Sequence, residues 1–226
     1  MLKSDPDFRF LNLLTALNVT FLLVSAFTGA RVIGVLGVGV SVTVLYFPVT
    51  FPIGDILTEV YGYAQSRRVI WISICCSVAG SVVAATQLAV PAAAFFEADA
   101  AYQAVFSVSF RTAVAGLAAF FVGDICNSYV LAKMKIWDEG RRLWARVVSS
   151  TIVGEGVNTA LFYGIALHNV RPERLLLRSV LVGWAAKVMV EVVMLPVSYA
   201  AVRYLKRAEG VDHYDYETDF NPFLVR

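Results

Sequence analysis

The sequence predicts an all-α polytopic membrane protein, a bundle of six transmembrane helices whose second helix is broken. Three observations carry this. Of 226 residues, 58% are hydrophobic and only 16% charged, with a mean hydropathy of +0.68, so the chain is too apolar for an ordinary soluble domain. Apolar runs long enough to cross a bilayer recur at about 11–30, 32–53, 69–92, 103–131, 147–168 and 175–202. The basic residues fall on alternate connections. With the N-terminus inside, Lys3, Arg9, Arg67, Arg68, Lys133, Lys135, Arg141, Arg142, Arg146, Arg203, Lys206, Arg207 and Arg226 are cytoplasmic, whereas Arg31, Arg171, Arg174 and Arg178 are outside. That asymmetry follows the positive-inside rule and places both termini in the cytoplasm. The expected layout is a six-helix transmembrane domain over 1–205 and a cytoplasmic tail over 206–226. The N-terminus offers no small-residue cleavage site after its first apolar run, so that span is expected to be retained.

Several function classes are disfavoured. A formal charge of +2 is too small to suggest a nucleic-acid partner. Cys75, Cys76 and Cys126 all lie in apolar runs and read as small core residues rather than disulfide or metal ligands. No HExxH, GxSxG or GxxxxGK[ST] motif is present, and His168 and His213 lie at a span end and in the tail. The protein is read as a non-enzyme, with no catalytic residue, cofactor or metal expected.

The spans are distinguished by their polar residues. In the first, Asn12, Thr15, Asn18 and Ser25 form one stripe, which belongs against other helices. The second contains Pro48 and Pro52, which remove two backbone donors and disfavour helix at Phe47 and Phe51. A helix broken at membrane depth is tolerated where it lines a cavity. Asp55 and Glu59 follow at i and i+4, on one face of the resumed helix; they serve either a ligand or a structural pair with Arg67 or Arg68. In the fourth span Asp124 and Asn127 share a face and form, with Asn18, an additional polar group. The fifth places Glu155 and Asn158 at i and i+3, flanked by Gly154 and Gly156, which also suit close helix packing. The sixth sets Lys187 and Glu191 at i and i+4, with Trp184 about one turn earlier. Lys187 could neutralise Glu155, Glu191 or Asp55 in a structural pair, contact a ligand, or do both.

Together these groups suit a planar, hydrogen-bond-rich heterocycle. A carboxylate's two oxygens match the adjacent N1 hydrogen and 2-amino group of a guanine-like edge, while a lysine or carboxamide donates to its exocyclic oxygen. Aromatic side chains such as Phe51 and Trp184 would cover its faces.

At this level of detail the chain resembles the VUT or YhhQ-type queuosine precursor transporters. The resemblance rests on FPxTFxxxDxxxEVYG at 47–62 with the basic pair after it, WxRxxxST at 144–151, GEGVNTxxF at 154–162, KxxxE with a following proline at 187–196, and KxxEGxDxYDxxTxFNPF in the tail. It implies a six-helix carrier in a prokaryotic inner membrane that imports 7-cyano-7-deazaguanine or 7-aminomethyl-7-deazaguanine for tRNA queuosine salvage. Asp55, Glu59, Glu155, Asn158, Lys187 and Glu191 are the site positions it implies. Many relatives have Asp where Asn158 stands, a carboxylate this chain lacks. The partners expected are the heterocyclic substrate and the lipid bilayer, with a homodimer compatible. An alternative is a substrate-binding membrane subunit of an ATP-driven uptake system for a vitamin-like heterocycle.

Overall fold

The computed structural model describes residues 8–28, 31–35, 38–46, 49–107, 110–166 and 173–224; Phe47, Pro48 and His168 lie outside them. The described chain is predominantly helical. Helix α1 (Leu11–Thr28) leads to a short antiparallel hairpin of β1 (Val32–Val35) and β2 (Val38–Ser41), in which Val32 faces Ser41 and Val35 faces Val38. A 3-10 turn (Val42–Leu45) follows, then α2 (Thr50–Ile56), which runs into a π turn at Leu57–Tyr61. The long helices come next: α3 (Tyr63–Leu88), a short α4 (Asp99–Phe106), α5 (Phe110–Trp137), α6 (Leu143–Ala166) and α7 (Glu173–Glu209).

Among the described residues four segments are long and apolar enough to cross a membrane: Leu11–Thr28, Tyr63–Leu88, Asp99–Trp137 and Val180–Glu209. Their outward faces carry exposed apolar side chains such as Leu13, Leu17, Val82, Val83, Val193 and Val197, which suit an apolar surrounding such as lipid. The fifth predicted span, α6, matches them in length but carries Arg146, Glu155 and Asn158 buried against neighbouring helices. The second predicted span is divided. The apolar run at 32–53 supplies the hairpin and 3-10 turn before a helix forms, and Pro52 sits in the first turn of α2, where a missing N–H breaks no intrahelical bond.

This interrupted segment forms the centre of the molecule. From Thr50 to Tyr63 every side chain except that of Gly54 is buried, and Ile53, Ile56, Leu57 and Val60 pack with Leu14 of α1, Leu131 of α5, Val147 of α6 and Val202 and Leu205 of α7. Helices α5 and α6 make the most extensive pairing in the fold. Glycine permits it: a Cβ on Gly123 would lie 2.6 Å from Cβ of Asn158, and one on Gly154 would lie 2.6 Å from Cβ of Asn127. The sequence reading of Gly154 as a packing residue therefore holds.

The residues before α1 meet the end of α7. The backbone N–H groups of Arg9 and Phe10 donate to the carboxylate of Glu209 at 3.0 and 2.8 Å, and Tyr61 donates its hydroxyl to the same group at 2.8 Å. Helix α7 continues four residues past the predicted domain boundary, and the tail then folds back under α3 and α5 rather than leaving the bundle.

Candidate functional site

The predicted polar residues separate into two layers. The inner layer surrounds a cavity lined by Asn18 of α1, Phe51 and Gly54 of α2, Asp124 and Asn127 of α5, and Glu155 of α6. Residues that the sequence placed in separate groups thus meet here: the additional polar set Asn18, Asp124 and Asn127 shares its cavity with Glu155. Thr50, Ser66, Ser128 and Thr151 also line it and were not foreseen. No charge marks them, and small hydroxyl residues look alike at every packed helix crossing.

Specific bonds hold these side chains. Asn18 donates to Ser73 Oγ at 3.0 Å, and Asn127 donates to Asp55 Oδ1 at 2.6 Å. Lys187 reaches across from α7 to donate to Glu155 Oε2 at 2.7 Å and Asn158 Oδ1 at 2.8 Å, and its ammonium stands 5.7 Å from the centre of the Phe51 ring. Of the partners considered for Lys187, Glu155 is the one it meets, with Asn158 completing the clamp. Trp184 lies behind this group, donating its indole N–H to the Ile152 carbonyl at 3.0 Å along the seam between α6 and α7. Glu191 is fully buried, with neither carboxylate oxygen hydrogen-bonded.

The cavity's free volume is about 10 Å³, room for about one water. A heterocycle enters only if the lining moves. Phe51 lies on the cavity wall, in the first turn of α2.

The outer layer contains Glu59. Asp55 and Glu59 both face α5, as their spacing implies, but at different depths: Asp55 meets Asn127, and Glu59 meets Lys135, two turns further along. Glu59 Oε1 accepts from Arg146 at 2.9 Å and Lys206 at 2.7 Å, with Lys135 Nζ at 3.6 Å. Arg146 also donates to both oxygens of Asp138 at 2.8 and 2.9 Å. Lys135, 1% exposed, donates to the Glu59 carbonyl at 2.6 Å, to Asp212 at 2.5 Å and to the His213 carbonyl at 2.7 Å. Glu59 is therefore bound into an ion network whose cations come from α5, α6 and α7, rather than the Arg67 or Arg68 that follow it in sequence.

Arg67 instead grips the tail, donating to the carbonyls of Asp219 and Asn221 at 2.7 Å each, and Trp71 donates to that of Pro222 at 2.9 Å. The Phe220 ring lies against Tyr63 and Tyr129, with Lys133 Nζ 3.9 Å from its centre. Asp215 accepts the Tyr63 backbone N–H at the start of α3 and the Thr218 hydroxyl at 2.7 Å. Gly62, at φ 87°, makes the turn into α3; a Cβ there would lie 2.2 Å from the His213 ring. Burial raises the pKa of Asp215, but hydrogen bonds from His213, Thr218 and the Tyr63 N–H outweigh it and hold the carboxyl below its ordinary value. Asp212 behaves likewise: burial raises it, and the bonds from Lys135 and Lys206 lower it further than burial lifts it.

Residues 41–201, which include every site position named above except Asn18 and the tail residues with Lys206, match the family model described as "Putative vitamin uptake transporter". A protein of Bacillus subtilis (strain 168) described as "Probable queuosine precursor transporter" is 26% identical over 156 residues, which cover 69% of this chain and 68% of that protein. No solved structure matches the chain.

Proposed function

The chain belongs to the "Putative vitamin uptake transporter" family, a multi-pass membrane transporter, and from that premise we propose that it imports a 7-deazaguanine precursor of queuosine. The observation that carries the substrate reading is the inner cavity, where two carboxylates, Asp124 and Glu155, share a wall with two carboxamides and an aromatic ring. A guanine-like edge presents an N1 hydrogen and a 2-amino group side by side, and a carboxylate accepts both at once. Asp124 takes this role, because Glu155 is already engaged by Lys187. The amide of Asn18 or Asn127 donates to the exocyclic oxygen, and Phe51 covers one ring face. Lys187 holds Glu155 and Asn158 in place and offsets one of the negative charges. The name of the Bacillus subtilis relative supports the same substrate class.

The protein crosses the prokaryotic inner membrane six times in this reading, with α6 and the segment ending in α2 completing the four apolar spans. Both chain ends and the Glu59 network then face the cytoplasm, where the basic residues are concentrated. The closed cavity is an occluded conformation, and import alternates between an opening on each side.

The test is a bacterial strain that neither makes nor imports the base. Expressing this chain and supplying 7-cyano-7-deazaguanine restores queuosine in its tRNA; tRNA that stays unmodified refutes the substrate. Uptake by the purified chain in proteoliposomes without an ATPase separates a carrier from a subunit of an ATP-driven system.

A further inference from the structure

The inner layer contains one pair of acidic side chains whose chemistry is unfinished. Glu191 is 0% exposed and neither of its oxygens has a partner; Asp55 is 2% exposed and bonds Asn127 through Oδ1 while Oδ2 has none. Asp55 on α2 and Glu191 on α7 belong to helices that pack together, and Glu191 lies close enough to act on the charge of Asp55. The groups that face them from the surrounding elements are mainly negative: Glu59 of the π turn and Asp124 of α5 act on Asp55, and Glu155 of α6 acts on Glu191. Lys187, on α7 with Glu191, is hydrogen-bonded to Glu155 and Asn158.

Three carboxylate oxygens buried without a protein partner call for a ligand. Ionised carboxylates removed from water are costly, and two near each other cannot both keep a full charge. A metal ion is poorly suited, since no group of three or more His, Cys, Asp and Glu side chains could hold one among the described residues. A proton suffices. Placed on Glu191 or on Asp55 Oδ2 it forms one O–H bond and removes one charge, so that the pair carries a single negative charge.

We propose that Asp55 and Glu191 share a proton in the closed conformation, and that the proton leaves to water and returns as the carrier alternates, which couples import to a proton gradient. The coupling rests on the carrier reading above, whereas the proton site does not depend on it.

Infrared spectroscopy of the full chain in lipid at neutral pH tests the site directly. A protonated-carboxyl band that shifts in heavy water is expected, present in wild type and in Asp124→Asn but lost in both Glu191→Gln and Asp55→Asn. Its absence from wild type, or its survival in both Glu191→Gln and Asp55→Asn, overturns the site, as does thermal stabilisation by sodium in a protein without the band. Coupling is read from labelled 7-cyano-7-deazaguanine in proteoliposomes. With the outside one pH unit more acidic, a single coupled proton supports about tenfold accumulation. That ratio falls to one in Glu191→Gln. A ratio of one in wild type that retains the band overturns the coupling. Failure of wild type to take up the compound at all refutes the substrate reading, and the infrared result still decides the site.

Discussion

Glu59 and Glu191 are buried to the same degree, at 1% and 0% exposed, but their surroundings are opposite. Glu59 directs one oxygen at three cations and lies in a network closed by Asp138, Asp212 and the tail backbone. Glu191 has no hydrogen-bond partner, and its acidic neighbour Asp55 has one bare oxygen of its own. A buried charge surrounded by opposite charges fixes a structure, because removing any member leaves another uncompensated. A buried carboxylate without partners stores a cost that a proton or a ligand can relieve. The outer layer therefore ties the helices to one another, and in the proposed reading the inner layer is where binding changes the energy.

Substitutions can break that division. Arg146→Ala tests it most severely: it strips Glu59 and Asp138 of their shared cation and should cost about 3–5 kcal/mol, measured as a large fall in melting temperature in detergent. A variant as stable as wild type would mean that the network holds nothing. Asp124→Asn should have the reverse signature. It weakens binding of 7-cyano-7-deazaguanine by about 1.5–3 kcal/mol, the worth of a hydrogen bond to a charged group, with melting temperature nearly unchanged. Unaltered affinity would remove Asp124 from the site. Gly154→Ala sharpens the boundary between layers, since its methyl group would press on Asn127. A loss of about 1–3 kcal/mol of stability is expected, with weaker binding because Asn127 lines the cavity.

The smallest effect concerns pH. Asp212 and Asp215 have lowered pKa values in the folded protein, so their contribution to tail docking is fully present above the ordinary aspartate pKa and disappears as pH falls through the lowered ones. Protease cleavage within 210–224 should accelerate only in that acidic window. Equal cleavage at neutral and acidic pH would show that these carboxylates do not hold the tail.

Hydropathy alone located α1, α3, α5, α6 and α7, because each apolar run is bounded by charge. It did not separate the hairpin from a helix at 32–41, since a short run of valine and glycine fits either until pairing decides. Asp55, Asp124, Asn127 and Glu155 were legible as candidates from their burial in apolar sequence. That Asp124, Asn127 and Glu155 meet in one cavity, with Asp55 bonded to Asn127 behind its wall, was not, because it depends on the crossing of α5 and α6 at Gly123 and Gly154. The cations around Glu59 were hidden for a similar reason: Arg146 and Lys206 are distant in sequence and look like ordinary positive-inside residues. The tail's docking was also hidden, since a short charged segment past the last span looks like any solvent-exposed end.

Helix α7 is common to the two layers, with Lys187 in one and Lys206 in the other. Its 37 residues measure about 56 Å, against a hydrocarbon core of about 30 Å. Pro196 lies inside it and gives up the bond to the Val192 carbonyl, so any bend of the rod would fall there. Lys187 lies about 14 Å to one side of that point and Lys206 about 15 Å to the other. A bend at that point would let Lys187 shift beside the cavity while Lys206 stays bound to Glu59.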